Sequence, residues 1–163
     1  MPLSDFMRRT HQGILEELGE LAGKGGHSGR AARDFRALFA DHAAREEEAL
    51  LPVVSVLLDA EASGGLPPDD MLGLLAPLLE SKIPGLEADH ALLRMHLARL
   101  RRIAREGSDI WLSDIVARTA YIIGVEEERL LPALIVKGAA LAGSLEIASG
   151  KAGGPDARVP ARP

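Results

Sequence analysis

Four stretches of the sequence repeat apolar residues every three or four positions, and this periodicity limits the fold more than any other feature. The spacing predicts amphipathic helices over about residues 4–22, 30–58, 69–106 and 108–137. Leu and Ala are abundant, and aromatic residues make up only 3% of the chain, which favours helices over strands. Loops rich in Gly and Pro separate the stretches. The sequence therefore predicts an all-α protein, an antiparallel up-down four-helix bundle.

The chain divides into one domain and a tail. A chain of 163 residues is long enough for one domain with its own core, and we expect the bundle to occupy residues 1–142. Residues 143–163 are rich in Gly, Pro and Ala, and we expect them to form a flexible tail. Pro77 and Pro84 lie inside the third helical stretch, so we expect that helix to bend or break near them.

Composition excludes several classes of function. The chain has no cysteine, which excludes disulfides, thiolate metal sites and thiol catalysis. A net charge of −5 argues against general nucleic-acid binding. No apolar run reaches the length of a membrane span, and the first residues lack the apolar core of a signal peptide. We expect a cytoplasmic protein with neither nucleic acid nor membrane as partner; the sequence leaves its oligomeric state open.

Two segments in different halves of the chain look alike. DHAAREEEALLPVV (41–54) and YIIGVEEERLLPAL (121–134) share EEE and LLP at the same spacing. They differ four residues before the first glutamate, where the earlier copy has His42 and the later copy has Ile122. The repeat extends weakly upstream, since THQGILEEL around His11 resembles DHALLRMHL around His90. Two helix pairs related by a pseudo-twofold axis would explain this pattern.

Five polar residues fall on helix faces that are otherwise apolar. Burying a carboxylate without a partner is very costly, and two buried carboxylates that face each other also repel. A metal ion removes both problems. His42 and Glu46 lie one helical turn apart, so one helix offers an imidazole and a carboxylate to the same centre. This donor set suits iron, zinc or manganese without choosing among them. The candidate ligands are His11, His42, Glu46, His90 and Glu126.

The segments HQGILEEL, HAAREEEALLP, HALLRMH and EEERLLPAL resemble those of hemerythrin-like domains, also called HHE cation-binding domains. The resemblance spans about residues 5–136, and its most specific element is His42-x-x-x-Glu46-Glu47 followed by LLP. It implies a four-helix bundle that holds two non-haem iron ions, usually joined by an oxo or hydroxo bridge. It further implies that His11 and His42 bind one iron, that His90 binds the second, and that Glu46 and Glu126 bridge the two.

The sequence departs from the family pattern at two positions. Ile122 stands where the family has a histidine in its fourth helix, and Leu86 stands where oxygen carriers have a second histidine in the third. Three substitutes are open for the second iron: the phenol of Tyr121, the carboxylate of Glu87, or a water or small substrate. If Tyr121 is not a ligand, we expect it to serve in packing. If Glu87 is not a ligand, we expect it to be a solvated surface acid.

The resemblance implies three functions that the sequence leaves open. The first is a module that binds or senses oxygen, nitric oxide, peroxide or iron, as a single compact domain suggests. The second is a di-iron oxidase, peroxidase or oxygenase, since the missing histidine would leave one iron more open. The third is a degenerate domain with one metal or none that acts through protein contacts. The missing histidine at Ile122 is also the reason for this third hypothesis.

Overall fold

The computed structural model describes residues 3–62 and 69–132, and nearly all of these residues are helical. No strand occurs among them, which confirms the all-α prediction. The predicted tail at 143–163 and the end of the fourth predicted helix lie outside the described residues. The helices are α1 (Leu3–Gly23), α2 (Gly26–Ala49), α3 (Leu51–Ala62), α4 (Asp69–Gly107) and α5 (Ile110–Val125), and α5 continues into a π-helical turn at Glu126–Leu130.

The turn between α1 and α2 is tighter than the sequence analysis predicted, because α2 begins at Gly26 and not near residue 30. Gly25 and Gly26 have φ angles of 72° and 68°, a region that side chains with a Cβ atom rarely adopt. Gly29 then passes close to the end of α1: a Cβ atom there would lie 3.0 Å from the carbonyl oxygen of Leu21. These glycines let two helices meet after a turn of two residues.

α2 and α3 form one helical run with an interruption at Leu50. Pro52 has no N–H group, so the carbonyl of Glu48 loses its regular partner four residues on. The backbone stays helical across the interruption, since Leu50 N–H donates to the Glu46 carbonyl at 2.8 Å and Val54 N–H to the Leu50 carbonyl at 2.9 Å. The second copy of the repeat also loses regular α geometry before its proline, in the π-helical turn that precedes Pro132.

α4 runs without a break through Pro77 and Pro84, so the predicted break does not occur. Each proline removes one backbone hydrogen bond, but both rings are exposed. The face between them carries Leu79 and Ile83, which are buried in the core. Packing of that face offsets the lost hydrogen bonds and holds the helix together.

Four helices close a ring around the core: α1 packs on α2, α2 on α4, α4 on α5, and α5 on α1. No helix in the described ranges is long and apolar enough to cross a membrane. The ring encloses an apolar core in which five buried histidines and glutamates also lie. The largest fully buried side chains are those of Met7, His11, Leu18, Phe35, Phe39, Leu50, Leu51, Leu93, Leu112, Ile115 and Ile123.

We expect Gly29→Ala to lower the free energy of unfolding by about 1–3 kcal/mol, because the added methyl group meets backbone carbonyls of α1 that cannot move aside. Gly13→Ala is the matched control: it is also helical, its Cβ would meet nothing within 4 Å, and it should be neutral or stabilising. Urea unfolding followed by circular dichroism measures both. Equal stability of the two variants would contradict the close approach at Gly29.

Candidate metal centre

The structure brings all five predicted ligand residues to one place inside the helical ring. His11 comes from α1, His42 and Glu46 from α2, His90 from α4, and Glu126 from the first position of the π-helical turn. Each of them is at most 2% exposed. The apolar stripes of the helices face the core, and these residues lie on the stripes at helical spacing, so burial of the stripes carries them inward.

Glu126 lies at the centre of the cluster, because its two carboxylate oxygens face different histidines. Its Oε1 accepts a hydrogen bond from His11 Nε2 at 3.0 Å. Its Oε2 lies 3.0 Å from His90 Nε2 and 3.6 Å from His42 Nε2. One carboxylate therefore contacts imidazoles from three helices.

Glu46 on α2 faces two of these histidines, His11 and His42. Its Oε2 lies 3.3 Å from His11 Nε2 and 3.9 Å from His42 Nε2. One ligand atom from each of His11, His42, Glu46 and Glu126 lies within 4.8 Å of all the others. His90 stands beside this group of four: its ring centroid is 4.8 Å from that of His42.

The donor atoms fit a metal ion in type and spacing. Ligand atoms bound at about 2.1 Å to one ion lie roughly 3 to 4.3 Å from one another. The distances between histidine nitrogens and glutamate oxygens given above, 3.0 to 3.9 Å, fall in that range. Several of these ligand atoms are buried and lie close to one another, yet they are not aligned for hydrogen bonds, which is costly in an interior without a ligand. These atoms include His42 Nε2, His90 Nε2, Glu46 Oε2 and Glu126 Oε2. The cluster could therefore hold a metal ion.

Without a metal, protons must balance the charges of the two glutamates. Burial, and next the charge of Glu126, raise the pKa of Glu46 to about 8. Burial alone would raise the pKa of Glu126 as well, but its interactions with the three histidines outweigh burial and hold it well below the usual range. Burial opposes the charge of His11, yet the hydrogen bond to Glu126 and the charges of nearby glutamates raise its pKa overall. Burial lowers the pKa of His42.

A carboxylate outside the cluster approaches His42 at Nδ1, the ring nitrogen that does not face the glutamates. Asp89 on α4 has its Oδ2 at 4.0 Å from His42 Nδ1, and Arg45 donates to the same oxygen at 2.7 Å. At 4.0 Å this approach is not a hydrogen bond, and His42 Nδ1 has no hydrogen-bond partner, but the carboxylate lies on the side of the ring where such a partner orients a ligand histidine. The sequence analysis missed Asp89, because its partner histidine lies on another helix. The only local signal is that both His42 and His90 directly follow an aspartate.

His90 has a similar arrangement. Glu127 Oε1 lies 3.6 Å from His90 Nδ1, and Arg94 Nε donates to the same oxygen at 2.9 Å. Near His11, Glu47 raises the imidazole pKa through its charge and is paired with Arg8 at 3.5 Å. Each of the three histidines thus has a carboxylate in its surroundings that an arginine restrains from the surface.

The two residues that the sequence offered as substitute ligands lie outside the cluster. Tyr121 is 68% exposed, and Glu87 is exposed beside Glu127. No hydrogen bond or ion pair joins either of them to the five clustered residues within the described ranges. Ile122 is 4% exposed and Leu86 is 3% exposed, so apolar side chains occupy both positions where the family pattern has histidines.

Comparisons with protein-family models, with curated proteins and with solved structures give no match to this chain.

We expect the metal-free protein to lose stability as the pH rises from about 6.5 to about 8. The folded state keeps the proton of Glu46 up to about pH 8, whereas the unfolded chain releases it near pH 4.5. Because the folded state binds more protons over this range, rising pH favours unfolding, by about 2 kcal/mol between pH 6.5 and 8 for this one group. The raised pKa of His11 acts in the same direction above pH 6.5.

Glu46→Gln removes this titration and the repulsion by Glu126, so the metal-free variant should be more stable than the wild type at pH 8. Glu48→Gln is the control, because Glu48 is exposed on the same helix. Urea unfolding at the two pH values measures the effect. If Glu46→Gln and the wild type lose stability in parallel, the burial of an uncompensated carboxyl group at Glu46 is wrong.

Proposed function

We propose that this protein is a non-haem di-iron protein of the hemerythrin-like kind, which binds or senses oxygen or a related small molecule such as nitric oxide or peroxide. The observation that carries the proposal is the buried cluster of three histidines and two glutamates with donor atoms left unpaired. A protein interior tolerates such a group when a cation satisfies the donors. Imidazole and carboxylate ligands without any thiolate suit iron, and they also admit manganese or zinc.

Two features support two ions over one. Glu126 presents Oε1 to His11 and Oε2 to His90, each at 3.0 Å, so its two oxygens face histidines of the two proposed ions; His42 lies farther away, 3.6 Å from Oε2. His90 lies outside the compact group formed by His11, His42, Glu46 and Glu126. In the proposed arrangement His11 and His42 hold one ion, His90 holds the other, and both glutamates are shared.

The proposed scaffold is the antiparallel up-down bundle that the sequence analysis predicted. The closed ring of contacts among α1, α2, α4 and α5 supports it. Short turns join α1 to α2 and α4 to α5, and helices joined in this way normally pack as antiparallel neighbours. Such a scaffold directs one ligand-bearing face of each helix to a common interior.

Iron held by these residues would supply an open coordination position at which a small molecule can bind. The residues of this chain orient the ion and exclude bulk water, since every candidate ligand is at most 2% exposed. One observation also favours an oxidase or peroxidase as a second candidate. Buried Ile122 and Leu86 stand at the two positions where the family pattern has histidines, so the second ion would have fewer protein ligands and would keep a coordination position for a reactant.

Protein purified from cells supplied with iron should contain two iron ions per chain, and Glu126→Ala should lose them because it removes the shared carboxylate. Glu128→Ala is the matched control: it belongs to the same EEE run but is exposed, so it should keep the metal. Elemental analysis measures the iron content per chain, and the optical spectrum shows whether the two ions are bridged. Less than one metal per wild-type chain with the fold intact would leave only the degenerate alternative, and equal loss in both variants would contradict the site.

We expect Ile122→His to tighten binding of the second metal ion. The side chain at 122 lies one helical turn before Glu126 and is buried, so an imidazole there lies on the same inward face as Glu126. Ile122→Asn is the control for burying a polar group without adding an imidazole. Competition with a chelator measures the affinity of each ion. Unchanged release of both ions in Ile122→His would show that position 122 does not face the metal centre.

A further inference from the structure

A pocket of about 440 Å³ opens on the surface between α2 and α4. Arg45 and Ala49 line it from α2, and Lys82, Gly85, Leu86 and Asp89 line it from α4. It is large enough for several water-sized molecules. None of the five clustered residues lines it, so it is separate from the candidate metal centre.

The pocket nevertheless reaches the wall of that centre at two residues. Asp89 lines the pocket and also approaches His42 Nδ1 at 4.0 Å. Leu86 lines the pocket, is only 3% exposed, and lies one helical turn before His90 on the same face of α4. Leu86 and Asp89 therefore relate the pocket to the two histidines, Asp89 by its distance from His42 and Leu86 by its position one turn before His90.

The lining favours an uncharged occupant. Arg45 and Lys82 are balanced by Asp89 and Glu48, and Arg45 is already paired with Asp89. The wall towards the core is the apolar side chain of Leu86. Beside it, Gly85 leaves open space, since a Cβ atom there would meet nothing within 4 Å. A pocket without net charge and with an apolar inner wall selects neither cations nor anions.

We propose that this pocket is the entry route by which a small uncharged molecule reaches the buried histidine and glutamate cluster, and that Leu86 is the side chain it passes. The inference rests on the proposed function, because it assigns a route to the ligand of that centre. The class of ligand is a neutral molecule of a few atoms, such as a diatomic gas or hydrogen peroxide. Leu86 controls passage by its size.

The first test uses the metal-free, full-length chain and diethyl pyrocarbonate, a small neutral reagent that modifies histidine. Peptide mass spectrometry follows the rate at each histidine. Gly85→Leu adds a bulky side chain to the pocket at a position where a Cβ atom meets nothing within 4 Å, and we expect several-fold slower modification of His42 and His90. Leu86→Ala opens the inner wall and should speed both several-fold. His27 is exposed at the start of α2 and should react equally in all variants.

Gly13→Leu controls for helix stabilisation, because it also replaces a helical glycine whose Cβ would meet nothing within 4 Å. Slower modification at His42 and His90 in Gly85→Leu alone supports the route. Equal slowing in Gly13→Leu means that the reagent enters through general unfolding, and no slowing in either variant means that it enters elsewhere; each result overturns the proposal. If Gly85→Leu does not fold, the rate in Leu86→Ala decides the question, and an unchanged rate overturns it.

The second test uses the ferrous iron-loaded protein and nitric oxide, with the association rate read from the optical spectrum. We expect Gly85→Leu to slow association and Leu86→Ala to speed it, while the metal content stays unchanged. Unchanged association rates in both variants would overturn the route even though the metal centre exists. If the chain binds no iron, the proposed function fails, and the histidine modification rates still decide whether the pocket leads to the cluster.

Discussion

The contact of two buried glutamates with three buried histidines is the constraint on which the rest of this structure depends. Glu46 and Glu126 repel each other in an interior that shields charge poorly, and the imidazoles offset this only in part. In the metal-free protein, protons on Glu46 and His11 restore the balance. A metal cation would replace those protons, so the same arrangement that weakens the empty protein at high pH prepares it to bind metal.

The surrounding helices hold the cluster in place mainly by packing of their apolar side chains. Packed faces carry each ligand inward, and they also keep α4 helical through Pro77 and Pro84. Arginines at the surface restrain carboxylates in the surroundings of the histidines, as in the pair of Arg45 with Asp89. Such exposed pairs add little to stability by themselves. Their effect is to hold Asp89 and Glu127 at 4.0 Å and 3.6 Å from the Nδ1 atoms of His42 and His90.

The sequence was sufficient to predict the helices and the five clustered residues, because helical periodicity alone determines which side chains share a face. The sequence was not sufficient where contacts between helices determine the local structure. α2 begins at Gly26 because Gly29 can pass close to the end of α1, and α4 stays whole because its apolar face is packed. Asp89 was missed because it acts on a histidine of another helix.

Anomalous scattering at the iron absorption edge, from crystals of protein grown with iron, tests the central claim most directly. The account predicts two anomalous peaks inside the helical ring, one within bonding distance of His11 and His42 and one beside His90, with Glu126 in contact with both. A map without a peak at the cluster, in which Glu126 still bonds to His11 as it does in the metal-free chain, would contradict it.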